Sequence, residues 1–188
     1  MTGADVMELG RMTLTRPQEA ARAVLAMGFP RGELWNLFLL TIALAGLLGQ
    51  IAVLLGGAAE GPQPTGIGIA ALVGGSILLT AGAVHVVGRW FGGEGRFEDS
   101  LLLMIWLQLV IVGLQAIQTV ALIVAPAFAG LIAIAATVLM TWVLVNFIAV
   151  VHGFQSLGKV FLSMILTLFG LAFALSVVLG LLGVTVGA

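Results

Sequence analysis

RWFGGEGRFEDS, residues 89–100, is a short polar segment between two long apolar runs. The segment holds two arginines and three acids, whereas the runs on either side contain no Asp, Glu, Lys or Arg away from their ends. Each run has the roughly 20 apolar residues that a helix needs to cross the hydrocarbon core of a bilayer. The segment is therefore predicted to be a polar hinge between two membrane spans.

The composition of the whole chain indicates an integral membrane protein. Of its 188 residues, 61% are hydrophobic and 8% are charged, whereas soluble domains have about 25% charged residues. The sequence contains no cysteine, which excludes disulfide bonds, thiolate metal sites and cysteine nucleophiles.

The hydropathy pattern predicts an all-α fold, a polytopic membrane helix bundle of five transmembrane helices with a short amphipathic helix before them. Pro126 stands in a very short turn, so the third and fourth spans are expected to be adjacent and antiparallel. Two domains are predicted, a cytoplasmic tail with an amphipathic interfacial helix at 1–33 and a transmembrane domain at 34–188. The five spans lie at about 34–55, 67–90, 100–124, 128–151 and 160–182.

The amphipathic helix is predicted to begin near Thr15, after a loosely held segment at 1–14. Thr15 can cap the helix, Pro17 suits its first turn, and Gln18 completes a capping box. Arg16 and Arg22 lie opposite its apolar face. Two placements stay open: the helix lies in the headgroup plane with its basic side towards anionic lipid, or it packs against the spans.

The basic residues predict the orientation of the chain in the membrane. With five spans, all seven lysines and arginines fall on one side. The positive-inside rule places that side in the cytoplasm. The N-terminus is then cytoplasmic, and the C-terminus lies on the far side.

The predicted spans contain few polar side chains and no charged one away from their ends, which argues against a proton pump or an ion-coupled carrier. Gln108 and Gln115 stand two turns apart in the third span, with Gln118 near the same face and Asn146 in the fourth span. These side chains could line a cavity or form hydrogen bonds between helices, and hydrogen bonding is favoured.

His85 and His152 lie at matching ends of the second and fourth spans. Histidines can bind metal or respond to pH near neutrality. No carboxylate or thiolate has ligand spacing to either, so both are interpreted as satisfied side chains at the membrane interface. We predict no metal, no cofactor and no catalytic set, and hence no enzyme activity.

The glycines of the polar hinge are predicted to form a tight turn into the third span. The first turn of that span carries two carboxylates, which the helix dipole favours. The arginines of the hinge could bind lipid phosphate or pair with those carboxylates, and pairing is favoured. The predicted surface for contact with lipids or partners consists of Arg16, Arg22, Arg89, Arg96, Glu98 and Asp99.

Small residues four apart, such as Ala70 and Gly74 or Gly170 and Ala174, allow close approach of helices. Packing within one bundle is the simpler interpretation, and formation of a homo-oligomer is the alternative.

A set of motifs along nearly the whole chain resembles one family. Arg16-Pro17 opens the amphipathic segment, and the run from Gly92 to Leu101 is followed by Trp106. Pro126 lies in the turn between the third and fourth spans, and the fourth span ends in His152-Gly153-Phe154. With these features the chain resembles the bacterial branch of the Yip family, which are five-span membrane proteins related to Ypt-interacting proteins. The resemblance implies a non-enzymatic protein of the bacterial inner membrane that acts through helix and lipid contacts.

The chain departs from the family pattern in two places. Many relatives have a proline early in the third span, where this chain has Leu107-Gln108-Leu109. The trafficking relatives carry a cytoplasmic tyrosine-glycine-proline motif, and this chain has no tyrosine. Binding of a small GTPase is therefore not expected, and no nucleic-acid partner is predicted.

Two hypotheses of function follow. The first is a scaffold or adaptor that contacts membrane lipids or other membrane proteins through its cytoplasmic face. The second is a small-solute permease or channel lined by the polar side chains of the third and fourth spans. An intramembrane enzyme is a distant third, because the sequence offers no convincing catalytic set.

Overall fold

The computed structural model of the chain describes residues 3–55, 63–167 and 169, and this part of the chain is helical apart from short connections. Four helices within it are long and apolar enough to cross a membrane. Their bounds lie within about three residues of the first four predicted spans. The all-α bundle predicted from hydropathy is thus confirmed. The four helices are α3 (Arg31–Leu55), α4 (Gly66–Trp90), α5 (Phe97–Val124) and α6 (Pro126–His152).

A shorter apolar helix, α7 (Leu157–Thr167), covers the beginning of the predicted fifth span. Apart from residue 169, the rest of that span, up to 182, lies outside the described residues. The close pair of Gly170 and Ala174 also falls there.

Two helices precede the long ones, α1 (Gly3–Thr15) and α2 (Pro17–Ala26), which we call the N-terminal collar. The prediction of a loosely held segment before residue 15 is wrong, because α1 is a regular helix that buries Leu9 and Thr13. The predicted capping box is wrong as well. The Thr15 hydroxyl donates to the Arg11 carbonyl within α1, and Arg16 occupies the N-cap of α2 without a side-chain hydrogen bond. Pro17 does stand in the first turn of α2.

The long helices alternate in direction, and each pair that is consecutive in the chain is in contact. The α3–α4 crossing is especially close. A Cβ atom added to Gly46 would lie 2.6 Å from the Gly66 carbonyl oxygen and 2.9 Å from the Ala70 side chain. Gly74 likewise packs against Phe38 of α3. Ala70 and Gly74 thus serve packing within one bundle, as the simpler interpretation predicted.

The core of the protein lies at the charged end of the bundle, around the first turns of α5. Seven consecutive residues, Leu101 to Leu107, are buried, so this part of α5 is covered on every face. At 28 residues, α5 is about 42 Å long, whereas the hydrocarbon core of a bilayer is about 30 Å thick. The excess of roughly 12 Å allows the first turns of α5 to stand clear of the acyl chains, and protein covers them there.

The N-terminal collar supplies part of this cover. Its residues Pro17, Ala20, Ala21 and Val24 are buried, and α2 packs against α5 and α6. Of the two placements considered for the amphipathic helix, packing against the spans is therefore the one observed for its apolar face. Its arginines remain exposed on the other face.

Candidate functional site

Helices α4 and α6 end at the charged end of the bundle with the same backbone motif. In α4, the Gly93 N–H donates to the Gly88 carbonyl and the Gly92 N–H to the Arg89 carbonyl. In α6, the Phe154 N–H donates to Ala149 and the Gly153 N–H to Val150. These bonds form a Schellman motif, which needs a residue of positive φ just after the helix. Gly92 has φ 84° and Gly153 has φ 69°, so glycine is required at both positions.

His152 is the last residue of α6, and its imidazole is enclosed by glycines from the end of α4 and from the segment that follows α4. Its ring lies where Cβ atoms of Gly88, Gly93 and Gly95 would be. Only 4% of the residue is exposed. The glycines of the polar hinge therefore do more than turn the chain, because they leave the space that the imidazole occupies.

Both ring nitrogens of His152 have backbone partners. The Gly95 N–H donates to Nδ1 at 3.2 Å, so Nδ1 carries no proton. Nε2 then bears the proton and donates to the Val84 carbonyl at 3.0 Å. The hydrogen-bond network thus assigns a neutral imidazole with its proton on Nε2.

The peptide of Gly95 also joins the second histidine. Nδ1 of His85 lies 3.1 Å from the Gly95 carbonyl oxygen, to which it can donate. The rings of His85 and Phe97 meet edge to face, and the rings of His152 and Phe154 are stacked. We call this group, His85, Gly95 and His152, the histidine latch. It joins the ends of α4 and α6 to the segment that leads into α5. The sequence interpretation of both histidines as satisfied side chains agrees with this geometry.

Two side-chain hydrogen bonds fasten the N-terminal collar to the long helices. The Gln18 amide donates to the Asn146 oxygen at 3.0 Å, and the Trp106 indole N–H donates to the Thr13 hydroxyl at 2.9 Å. The Thr13 hydroxyl in turn donates a hydrogen bond to the Leu9 carbonyl within α1. A buried amide or indole needs such a partner, so these bonds fix the position of the collar.

The predicted contact residues all lie at this end of the bundle, but they pair differently from the prediction. The closest partner of Glu98 is Arg31, whose Nη2 lies 2.6 Å away and whose Nε lies 3.2 Å from the same oxygen. Arg96 is more distant from Glu98, at 3.9 Å. The sequence prediction missed Arg31, because the contact of α3 with α5 brings it to Glu98.

Several arginines remain open to the surroundings. Arg16 forms an exposed pair with Glu19 at 3.5 Å. Within the described ranges, neither Arg22 nor Arg89 has a carboxylate within ion-pair distance. Such exposed charges contribute little to stability.

Two cavities open between these charged groups. One, of about 500 Å³, lies between α2 and the end of α6 and is lined by Gln18, Arg22 and Gln155 among others. The other, of about 440 Å³, lies at the N-terminal ends of α3 and α5 and is lined by Arg31, Arg96 and Asp99 among others. Half-buried Asp99 thus belongs to the second cavity.

The polar side chains of α5 and α6 are those considered above as the lining of a channel. Asn146 is held by Gln18, and its amide also donates to the Trp142 carbonyl at 2.8 Å. Neither of the two cavities above is lined by Gln108, Gln115 or Gln118. The predicted bonding between helices holds for Asn146, whereas the buried Oε1 of Gln115 has no hydrogen-bond donor among the described residues. No group of three or more metal-ligating side chains occurs in 3–55 or 63–167.

Replacing Gln115 with leucine is expected to leave the thermal unfolding temperature unchanged or to raise it by about 2–4 °C. Leucine removes a buried carbonyl oxygen that has no partner, and such a change is neutral or stabilising. Thermal unfolding of the purified protein in detergent measures the effect. Asn146→Leu is the control, and it should lower the unfolding temperature because the Gln18 amide loses its acceptor. A marked fall with Gln115→Leu would mean that this side chain has a partner after all.

A comparison with protein-family models places the motifs in one family. The model described as the Yip1 domain matches residues 12–179, which span the end of α1, all the long helices and α7. The family resemblance noted from the sequence is thereby confirmed. The comparisons with curated proteins and with solved structures gave no match.

Proposed function

The chain belongs to the Yip1 domain family, and on that premise we propose that it is a non-enzymatic membrane scaffold or adaptor. It contacts lipids or partner membrane proteins through the charged end of its bundle. The observation that carries this proposal is a set of exposed arginines, of which Arg89 and Arg22 are unpaired among the described residues. The helices that carry these arginines are held in position by the histidine latch and the collar. A binding surface whose backbone is already ordered loses less entropy on association.

The exposed arginines stand next to rigid elements. Arg89 lies in the last turn of α4, one residue after Gly88, which packs against His152. Arg96 directly follows Gly95 of the latch and is the N-cap residue of α5. Arg22 extends from α2, whose opposite face is buried. Guanidinium groups held in this way suit the phosphate or carboxylate groups of a partner.

We place the charged end in the cytoplasm, with the membrane taken to be the bacterial inner membrane. All seven basic residues lie before α3 or at its first residue, between the last turn of α4 and the start of α5, or after α6, and these positions share one end of the bundle. The positive-inside rule then orients the chain. A fifth span formed by α7 and the residues after it would put the C-terminus on the far side. A second copy of the chain is one candidate partner.

Replacing Arg89 and Arg96 together with alanine is expected to weaken capture of a specific partner or anionic lipid about tenfold. Each exposed arginine contributes up to roughly 1 kcal/mol to such a contact. The measurement is quantitative mass spectrometry of the lipids and proteins that co-purify with the full chain in mild detergent.

Arg11→Ala is the matched control, because Arg11 is an exposed arginine of α1 outside the proposed surface. The Arg11→Ala variant should capture as much lipid and partner protein as the unchanged protein does. Equal capture by the double variant would refute the proposed surface, as would equal losses in the control.

A further inference from the structure

Helices α4 and α7 leave a crevice between them, and its apolar lining takes part in none of the interactions described above. Its apolar part has a volume of about 590 Å³, and a smaller cavity of about 280 Å³ adjoins it. Phe91 and Ser163 line both cavities, so the two are neighbours, and we describe them together as one crevice. The apolar part is lined mainly by Leu79, Gly82, Ala83, Val86, Trp90 and Leu166.

The apolar part of the crevice opens on the outer surface of the bundle. Leu79 is 66% exposed and Leu166 is 58% exposed. Trp90, where the crevice reaches the charged end of the bundle, is 80% exposed. Both helices are apolar, and α4 is long enough to cross a membrane. In a bilayer, this opening therefore faces acyl chains, and Trp90 lies at the charged end, where interfacial tryptophans are common.

The smaller cavity has a different chemistry. Gln155, Ser156 and Lys159 line it together with Phe154. Lys159 is exposed, and no carboxylate of the described residues forms an ion pair with it. The crevice thus runs from an apolar groove among the spans to a cationic, hydrogen-bonding end at the membrane surface.

We propose that this crevice binds one glycerophospholipid with a net negative headgroup from the leaflet at the charged end. One acyl chain lies along α4 past Gly82 and Ala83. The phosphate lies at the smaller cavity, where the Lys159 ammonium and the polar side chains next to it bind its oxygens.

The polarity along the crevice favours this occupant over a water-soluble anion or a partner helix. A water-soluble anion would leave the apolar groove unfilled. An apolar partner helix would fill the groove but would bring no negative charge to Lys159. A phospholipid matches both parts at once, and it already surrounds the helices. The lysine selects a negative headgroup, since each basic side chain near a membrane surface attracts anionic lipid.

The test is native mass spectrometry of the full chain in mild detergent, with equal amounts of phosphatidylglycerol and phosphatidylcholine that carry the same acyl chains. We expect one phosphatidylglycerol to be retained in preference to phosphatidylcholine. Lys159→Gln should lower that preference about fivefold. The charge control is Arg11→Gln, which should leave the preference unchanged.

The groove is tested separately by filling it. A Cβ atom at Gly82 of α4 or at Gly113 of α5 would meet no other atom within 4 Å, so a side chain can start at either position without displacing a neighbour. Gly82→Leu occupies the groove and should reduce the binding of both lipids. Gly113→Leu, on α5 and outside the crevice, should reduce neither.

The proposal is overturned if Lys159→Gln keeps the preference, or if Arg11→Gln loses as much of it, because the attraction is then a general surface charge. Retention of lipid by Gly82→Leu would also overturn it, because the lipid would then be bound elsewhere on the bundle. The inference rests on the proposed function only in that the chain works in a bilayer. It uses neither Arg89 nor Arg96, so failure of the partner surface and failure of the lipid site are observed in different variants.

Discussion

Replacing Gly88 with alanine is expected to lower the free energy of unfolding by about 1–2 kcal/mol. The new methyl group would overlap the imidazole of His152, which is buried and bonded through both nitrogens, and overpacking of this kind costs about 1–3 kcal/mol. Helix propensity acts in the opposite direction, since alanine is favoured over glycine within a helix by about 1 kcal/mol. The net loss therefore measures how closely Gly88 packs against the imidazole of His152. Unfolding in a denaturing detergent titration measures it.

A double-mutant cycle separates the clash from other effects of the substitution. His152→Ala alone should cost about 2–4 kcal/mol, because the Gly95 N–H loses its acceptor and a cavity remains. In that background, Gly88→Ala should cost nothing or stabilise the protein, which gives a coupling of about 1–2 kcal/mol or more. Gly82→Ala is the control in the same helix, where a methyl group meets no atom. Additive effects of the two substitutions would contradict the enclosure of His152 by Gly88.

Replacing Trp106 with alanine is expected to lower the free energy of unfolding by about 3–5 kcal/mol, the usual cost of truncating a buried aromatic side chain. Trp106 is 7% exposed and holds Thr13 of α1. The loss should also be local, because the Trp106–Thr13 bond is one of the two side-chain hydrogen bonds described above between the collar and the long helices. Hydrogen exchange over residues 3–26 should accelerate more than exchange in α3 and α4.

Two further variants give the comparison for Trp106. Trp106→Phe keeps most of the packing and removes only the hydrogen bond, so it should cost about 1 kcal/mol. Trp90→Ala removes an exposed tryptophan and should cost less than about 1 kcal/mol. If Trp106→Ala left exchange in α1 unchanged, Trp106 would not be what holds the collar in place.

Hydropathy was sufficient to predict the long helices, because a span must be apolar over its full length. The bounds of α3, α4, α5 and α6 follow from this rule, and Pro126 marks the turn between the last two. The rule gives no information about α1, which is short and exposes much of its surface. Its buried residues, Leu9 and Thr13, stand four apart, and this spacing was the signal available in the sequence.

The candidate site was predictable in its residue types but not in its contacts. His85 and His152 were singled out because they stand at matching ends of two spans. The partner that joins them, Gly95, is 57 residues from His152 in the sequence and bonds it through the backbone, and no side-chain pattern reports a backbone donor. The Arg31–Glu98 pair depends in the same way on the contact between α3 and α5. Contacts of this kind are set by the order in which helices pack.

The proposed function depends above all on the charged end of the bundle facing the cytoplasm. The chain has no cysteine, so single cysteines can be introduced at the exposed positions Glu94, in the α4–α5 segment, and Gln63, before α4. The measurement is labelling of each variant by a membrane-impermeant maleimide, in intact cells and in inverted membrane vesicles. We predict that Gln63→Cys is labelled in intact cells and Glu94→Cys only in inverted vesicles. Labelling of Glu94→Cys in intact cells would contradict the proposed function, because the surface would then face away from cytoplasmic partners.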